Sequence, residues 1–133
     1  MRFSTVFLAV VSVVAAVSAV PHTRRTGGTG DATFYEAGLG ACGITNSDAD
    51  MIVAIDAATF DNFPGATGNP NTNPICNKQI TATTTDGKSV TVTVTDRCAG
   101  CAVGSIDLTP TAFQQLASLD VGRLHGVTWN FID

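Results

Sequence analysis

The run Ile80-Thr81-Ala82-Thr83-Thr84-Thr85-Asp86-Gly87-Lys88-Ser89-Val90-Thr91-Val92-Thr93-Val94-Thr95 alternates valine with threonine over its second half. Successive side chains of a β-strand point to opposite faces. Val90, Val92 and Val94 are therefore expected in a core, and Thr91, Thr93 and Thr95 outside it. Asp86-Gly87 between the two halves is a preferred pair for a type I′ hairpin turn. Lys88 reads as a solvated turn residue.

Working outward, Met51 to Ile55 is short and wholly apolar, as a buried strand would be. Asp56 can cap a brief helical turn through Phe60. Asp61 to Pro74, rich in Pro, Gly and Asn, reads as a surface loop. Thr109-Pro110 is a helix entry, with Thr as N-cap and Pro at the first helical position. Phe113 and Leu116 share one face of that helix, and Gln114 and Gln115 face water. Val127, Trp129 and Phe131 alternate with polar neighbours in a closing strand, which makes Trp129 a core residue. His125 is expected in a loop. Asp31 to Tyr35 starts a strand. Gly38 to Gly43 reads as close backbone packing around Cys42, because it lacks the basic residues of a phosphate loop. Short strands with one late helix suggest a small closed β-barrel. Strand pairing does not follow from these patterns.

The N-terminal segment is of a different kind. Met1-Arg2 is followed by an apolar run to Val20, and Val17-Ser18-Ala19 is a small-residue cleavage pattern. Residues 1–19 are therefore expected to be a secretory signal peptide. Residues 20–30 read as a pro-segment and flexible leader, with Arg24-Arg25 as a processing site. A single domain is expected over 31–133. The chain has 133 residues and a formal net charge of −4. An acidic protein without clustered Lys/Arg does not suit a nucleic-acid backbone. After signal cleavage no membrane association is expected, and the protein is expected to be a secreted, extracellular monomer.

Cys42, Cys76, Cys98 and Cys101 all lie beyond the leader. Four cysteines in a secreted chain imply two disulfides with three possible connectivities. The spacing favours Cys42–Cys76 and Cys98–Cys101. The first closes a loop of about 35 residues and adds about 3–4 kcal/mol on the chain-entropy model. A redox dithiol and a zinc site are the rival readings of Cys98-Ala99-Gly100-Cys101; a redox dithiol would open a helix, but this motif follows a β-rich run and precedes Gly104. A structural site needs four ligands, the other cysteines are scattered, and His125 is the only histidine past the leader. Neither a metal nor a cofactor is expected.

Thr33-Phe34-Tyr35, Gly40-Ala41-Cys42-Gly43, Val94-Thr95-Asp96-Arg97-Cys98 and Ile106-Asp107-Leu108-Thr109-Pro110 together resemble the RlpA-like double-psi β-barrel superfamily. Within it the chain is similar to the single-domain, expansin-like fungal proteins called loosenins. The resemblance covers residues 31–133. It implies a mainly β fold, a six-stranded double-psi barrel with one or two short helices and two disulfides in the pairing above. It also implies an open polysaccharide-binding groove. By that resemblance Asp107 is the central acid, Asp96 ends a strand beside it, and Thr33 and Tyr35 position the sugar chain. Arg97 is either a loop clamp or a ligand contact. Asp96 is expected to cap loop amides or to pair with Arg97 or Arg123 if its role is structural.

Glycoside hydrolysis needs two carboxylates. Related endoglucanases carry a base two residues after the tyrosine of the first strand, and Ala37 stands there. Glu36 is turned to the opposite face by strand alternation. The resemblance therefore implies binding and non-hydrolytic loosening of cellulose- or chitin-type wall polysaccharide. Two alternatives belong to other classes. Similar barrels inhibit cysteine proteases, and such a protein would use exposed loops such as Gly38–Ser47 or Pro64–Pro74. A weak lytic enzyme would need a second carboxylate, with Asp48 or Asp50 as candidates.

Overall fold

The computed structural model describes residues 27–132. The expected signal peptide and the dibasic site lie outside the described residues. Six strands make the body: β1 (Gly28–Phe34), β2 (Ile52–Asp56), β3 (Gln79–Thr83), β4 (Ser89–Cys98), β5 (Ile106–Leu108) and β6 (Leu124–Phe131). Two short helices join them, α1 (Ala57–Asp61) and α2 (Pro110–Gln114). The strands close into a barrel in the order β1-β5-β2-β4-β3-β6, with β6 returning to β1. The pairs β1–β5 and β2–β4 are parallel, and the other four are antiparallel.

The valines behave as their period demands: Val90, Val92 and Val94 are buried in the barrel. The turn between β3 and β4 differs from the expected one. A type I′ turn needs positive φ at both central residues, but Gly87 alone has it here, at 90°. Thr84 N donates to Lys88 O at 2.8 Å and Gly87 N to Thr84 O at 3.0 Å. The connection is thus a three-residue loop ending on a left-handed glycine. The Thr84 hydroxyl shapes it by accepting from Lys88 N at 3.0 Å and bonding the Asp86 carboxylate.

Thr95 is also misplaced by simple alternation, being 3% exposed. Its cause is a β-bulge. Val53 of β2 pairs with Val94, but the next residue, Ala54, pairs with Asp96. Thr95 is the extra residue, and a bulge re-aims the side chains that follow it. Its hydroxyl is buried without a hydrogen-bond partner.

Strand β1 begins at Gly28, three residues before the expected Asp31. Gly28 pairs with Trp129 and Gly30 with Val127. Gly28 to Gly30 are therefore wall rather than flexible leader. Their lack of side chains permits close approach to another backbone. A Cβ on Gly30 would lie 2.7 Å from the Gly104 carbonyl carbon. Trp129 fixes the same place from inside: it is fully buried, as expected, and its Nε1 donates to Gly104 O at 2.9 Å. His125, expected in a loop, is instead the second residue of β6, because Leu124 already pairs with Ala32 of β1.

Both expected disulfides are formed. Both helix caps also match expectation. Asp56 accepts from Thr59 N at 2.9 Å, and Thr109 accepts from Ala112 N at 3.4 Å. Burial of Phe60, Phe113 and Leu116 seats the helical segments on the barrel ends; each large apolar side chain removed from water contributes about 1.5–3 kcal/mol.

Candidate functional site: an acid-lined cleft

The strand order brings Thr33, Asp107 and Asp96 into one row across four neighbouring strands, with the buried Ala54 between the two acids. Thr33 of β1 faces Asp107 of β5; Asp107 faces Ala54 of β2; Ala54 faces Asp96 of β4. Core residues flank each of the first three, Ala32, Val53, Ile55, Ile106 and Leu108 among them. Alternation therefore turns Thr33, Asp107 and Ala54 to the outer face. The bulge at Thr95 brings Asp96 into the same row. Without it Thr95 would stand opposite Ala54.

Asp107 is half-buried and accepts from the Thr33 hydroxyl at 2.9 Å. Burial pushes its pKa up, and Asp96 adds to that; the Thr33 hydrogen bond and the Arg123 charge oppose it. Asp107 and Thr33 line an open cleft of about 500 Å³ with Asp31, Ser105 and Arg123, and the Cys98–Cys101 bridge forms one wall. Asp96 and Tyr35 make a separate pair just beyond that lining. Tyr35 Oη donates to Asp96 Oδ2 at 3.0 Å. Burial raises the Tyr35 phenol, with Asp96 and then Asp107 reinforcing the shift. Asp96 Oδ1 accepts from Ala41 N and Arg97 N, each at 2.8 Å. Asp96 thus caps loop amides, one of the structural roles expected of it. It pairs with neither guanidinium.

Arg97 stands apart from the cleft. Its guanidinium grips Asp61 through two hydrogen bonds of 2.8 Å. With Phe60, Asp61 and Asn73 it lines a different pocket of about 400 Å³. The loop-clamp reading describes this geometry.

Three polar residues of the cleft escaped the sequence reading as site residues: Asp31, Ser105 and Arg123. Asp31 takes Arg123 on Oδ2 and His125 on Oδ1, both at 2.9 Å. Those hydrogen bonds, from His125 first and Arg123 second, hold its pKa below the usual carboxylate range. Ser105 Oγ accepts from Asp31 N at 3.0 Å. The signal for Asp31 was present, since period two carries the Thr33–Tyr35 face back to it. Arg123 and Ser105 join only through tertiary pairing.

The cleft therefore holds two carboxyls tuned in opposite directions, Asp107 up and Asp31 down. One oxygen of Asp31 is engaged by the Arg123 guanidinium and the other by the His125 ring, so it holds both side chains in place. Asp48 accepts from the backbone N of Ala37 at 2.7 Å, and Asp50 accepts from Asn46 and Ser47. Both are thereby occupied in shaping the Gly38–Asp50 loop.

A closed six-strand barrel with these two parallel pairs is a double-psi β-barrel. The chain belongs to the double-psi barrel family whose model is described as lytic transglycolase, matched over residues 28–128. A papain inhibitor of Streptomyces mobaraensis is 38% identical over 106 residues, covering 78% of this chain and 71% of that protein. The solved Streptomyces papain inhibitor superposes with a TM-score of 0.70 at 37% identity, over 79% of this chain and 93% of that one. An allergen Asp f 7 homolog of Arthroderma benhamiae is 41% identical over 117 residues, which is 78% of this chain. This chain spans only 38% of that relative's length. A Clavibacter michiganensis expansin solved with cellohexaose shares the fold at a TM-score of 0.62 and 24% identity, over 80% of this chain and 50% of that one.

Proposed function

We propose that this chain is a secreted inhibitor of a papain-type cysteine protease, which it engages through two loops held together on the barrel. The observation that carries this reading is its likeness to the Streptomyces papain inhibitor, 37% identical over 93% of that chain. The expansin, at 24% identity, supports the fold alone. The order of the two readings is therefore the reverse of the one the motifs first suggested.

Local geometry supports a docking role for the loops. Cys42–Cys76 ties the Gly38–Ser47 loop to the end of the Pro64–Pro74 loop. The loops also touch directly: a Cβ on Gly43 would lie 2.9 Å from the Asn71 side chain. Leu39, on the rising side of the first loop where it bridges Thr45, is 75% exposed. A tethered loop loses little freedom on binding, so more of its contact energy appears as affinity. Two disulfides fit an oxidising, extracellular setting. The test is titration of papain with the purified chain, repeated with Leu39→Asp. Stoichiometric loss of papain activity, weakened about tenfold or more by the variant, is the expected result. Full papain activity in the presence of a large molar excess overturns the reading.

A second reading rests on the half-buried Asp107 in an open cleft. The cleft would hold a neutral wall polysaccharide and weaken its inter-chain contacts without cutting it, with Asp107 and Thr33 bonding sugar hydroxyls inside it and the Tyr35–Asp96 pair positioning the sugar chain just beyond it. No aromatic ring lines that cleft among the described residues, so stacking would add little to affinity. Cellulose and chitin pull-downs with wild type and Asp107→Asn test it. Equal retention of both, or abundant new reducing ends from wild type, rejects it.

A further inference from the structure

We infer that reduction of the Cys98–Cys101 bridge turns the wall of the cleft into a zinc-class metal site, formed by Cys98 Sγ, Cys101 Sγ and a carboxylate oxygen of Asp107. The three ligand atoms lie within 4.8 Å of one another. Tetrahedral zinc with bonds of about 2.3 Å to sulfur and about 2.0–2.2 Å to oxygen holds its ligand atoms about 3.3–3.8 Å apart. Small side-chain rotations close that gap once the sulfurs part.

The ligands come from different parts of the chain. Cys98 ends β4, Cys101 lies in the following loop, and Asp107 is on β5. All three are half-buried and line the same cleft. A bound ion would keep a fourth position open to that cleft, as in sites with three protein ligands. The carboxylate is already oriented. Thr33 donates to Asp107 Oδ1 at 2.9 Å, which leaves Oδ2 for the ion. Outer hydrogen bonds of this kind fix ligand geometry in metal sites.

Spacing alone set zinc aside because Cys42 and Cys76 form no second close pair and His125 is the only histidine past the leader. The fold supplies a third ligand that spacing does not reveal. The site is gated by redox state. In the oxidised chain the sulfurs are bonded to each other and carry no charge. Two equivalents of a thiol reduce the bridge, leaving two cysteine thiols and one external disulfide. Zinc binding then releases both thiol protons to solvent. Cys42–Cys76 is placed differently: Cys42 is 7% exposed within the core. This inference does not rest on the inhibitor reading, whose loops lie outside the cleft.

The experiment is limited reduction of the whole chain with a phosphine, followed by buffer exchange. Differential alkylation and mass spectrometry verify that Cys98 and Cys101 are free while Cys42–Cys76 is intact. Circular dichroism verifies the fold. Zinc and cobalt are then titrated. We expect one ion per chain, a thiolate-to-cobalt charge-transfer band, and no binding to the oxidised chain. Asp107→Asn should weaken binding about tenfold or more, and Cys98→Ser should abolish the charge-transfer band of the pair. Three results overturn the inference: no stoichiometric binding after reduction, equal binding by wild type and both variants, or loss of the fold on reduction that zinc does not prevent.

Discussion

The Tyr35 phenol donates to Asp96 Oδ2 at 3.0 Å, while the other oxygen of Asp96 takes two backbone amides. The first strand, the Gly38–Ser47 loop and the end of β4 therefore meet on one carboxylate. Removing a hydrogen bond to a charged group costs about 1.5–3 kcal/mol. Tyr35→Phe should lower stability by about that amount in a denaturant titration. An unchanged midpoint would mean that Asp96 is held by the amides alone.

Asp107 has its pKa raised, chiefly by burial. Between the ordinary carboxylate range and that raised value, the folded chain binds more protons than the unfolded chain. Stability contributed by this group therefore falls as pH climbs through that window. Asp107→Asn removes the buried charge and keeps an acceptor for Thr33. Its melting temperature should exceed that of wild type at about pH 7 and converge with it near pH 3, below the ordinary carboxylate range. Parallel pH curves for the two proteins would contradict this.

The two disulfides should not count equally. Cys42–Cys76 spans a sequence separation of 34, and Cys98–Cys101 a separation of 3. On the chain-entropy model the first contributes about 3–4 kcal/mol and the second about 2 kcal/mol. Cys42→Ala with Cys76→Ala should lower the melting temperature by about 15 °C or more, since about 1 kcal/mol corresponds to 4–8 °C in a domain of this size. Calorimetry of both paired variants checks the order.

Thr95 is the residue that the bulge leaves over. Its buried hydroxyl has no partner, and such a group costs about 1–3 kcal/mol. Thr95→Val keeps the shape and removes the orphan, so it should stabilise the chain by about 1 kcal/mol. Destabilisation in equilibrium unfolding would show that the hydroxyl is satisfied in solution.

Gly104 has φ of 87°, and a Cβ there would lie 2.4 Å from Thr29 O. Gly104→Ala combines a backbone conformation unfavourable to L-residues with a clash against a strand. A loss of about 2 kcal/mol or more is expected. Hydrogen exchange should quicken first in β1 and β6, whose seam crosses this point.

The parts of this molecule that local chemistry governs were legible in its sequence. Valine alternation placed Val90 to Val94, and cap chemistry placed Asp56 and Thr109. The order of strands was not legible, because pairing Thr33 with Asp107 depends on residues distant in the chain. The bulge at Thr95 was hidden for the same reason: its cause lies in the register against Ala54. Glycines before Asp31 looked like a linker because composition cannot distinguish freedom from tight approach. The cleft was half visible. The resemblance pointed to Asp107 and Thr33 of the cleft and to the neighbouring Tyr35–Asp96 pair, but Arg123 reaches Asp31 only once β6 has joined β1.

That seam has a consequence for how the protein comes into being. The last strand sits between β1 and β3, so the wall stays open until residues near Phe131 are available. During synthesis the growing chain must wait with two unpaired strand edges, each a template for another molecule. Barrel closure is then a late event of long-range pairing, which is slow. Deleting the final strand would yield a sticky open sheet instead of a smaller barrel.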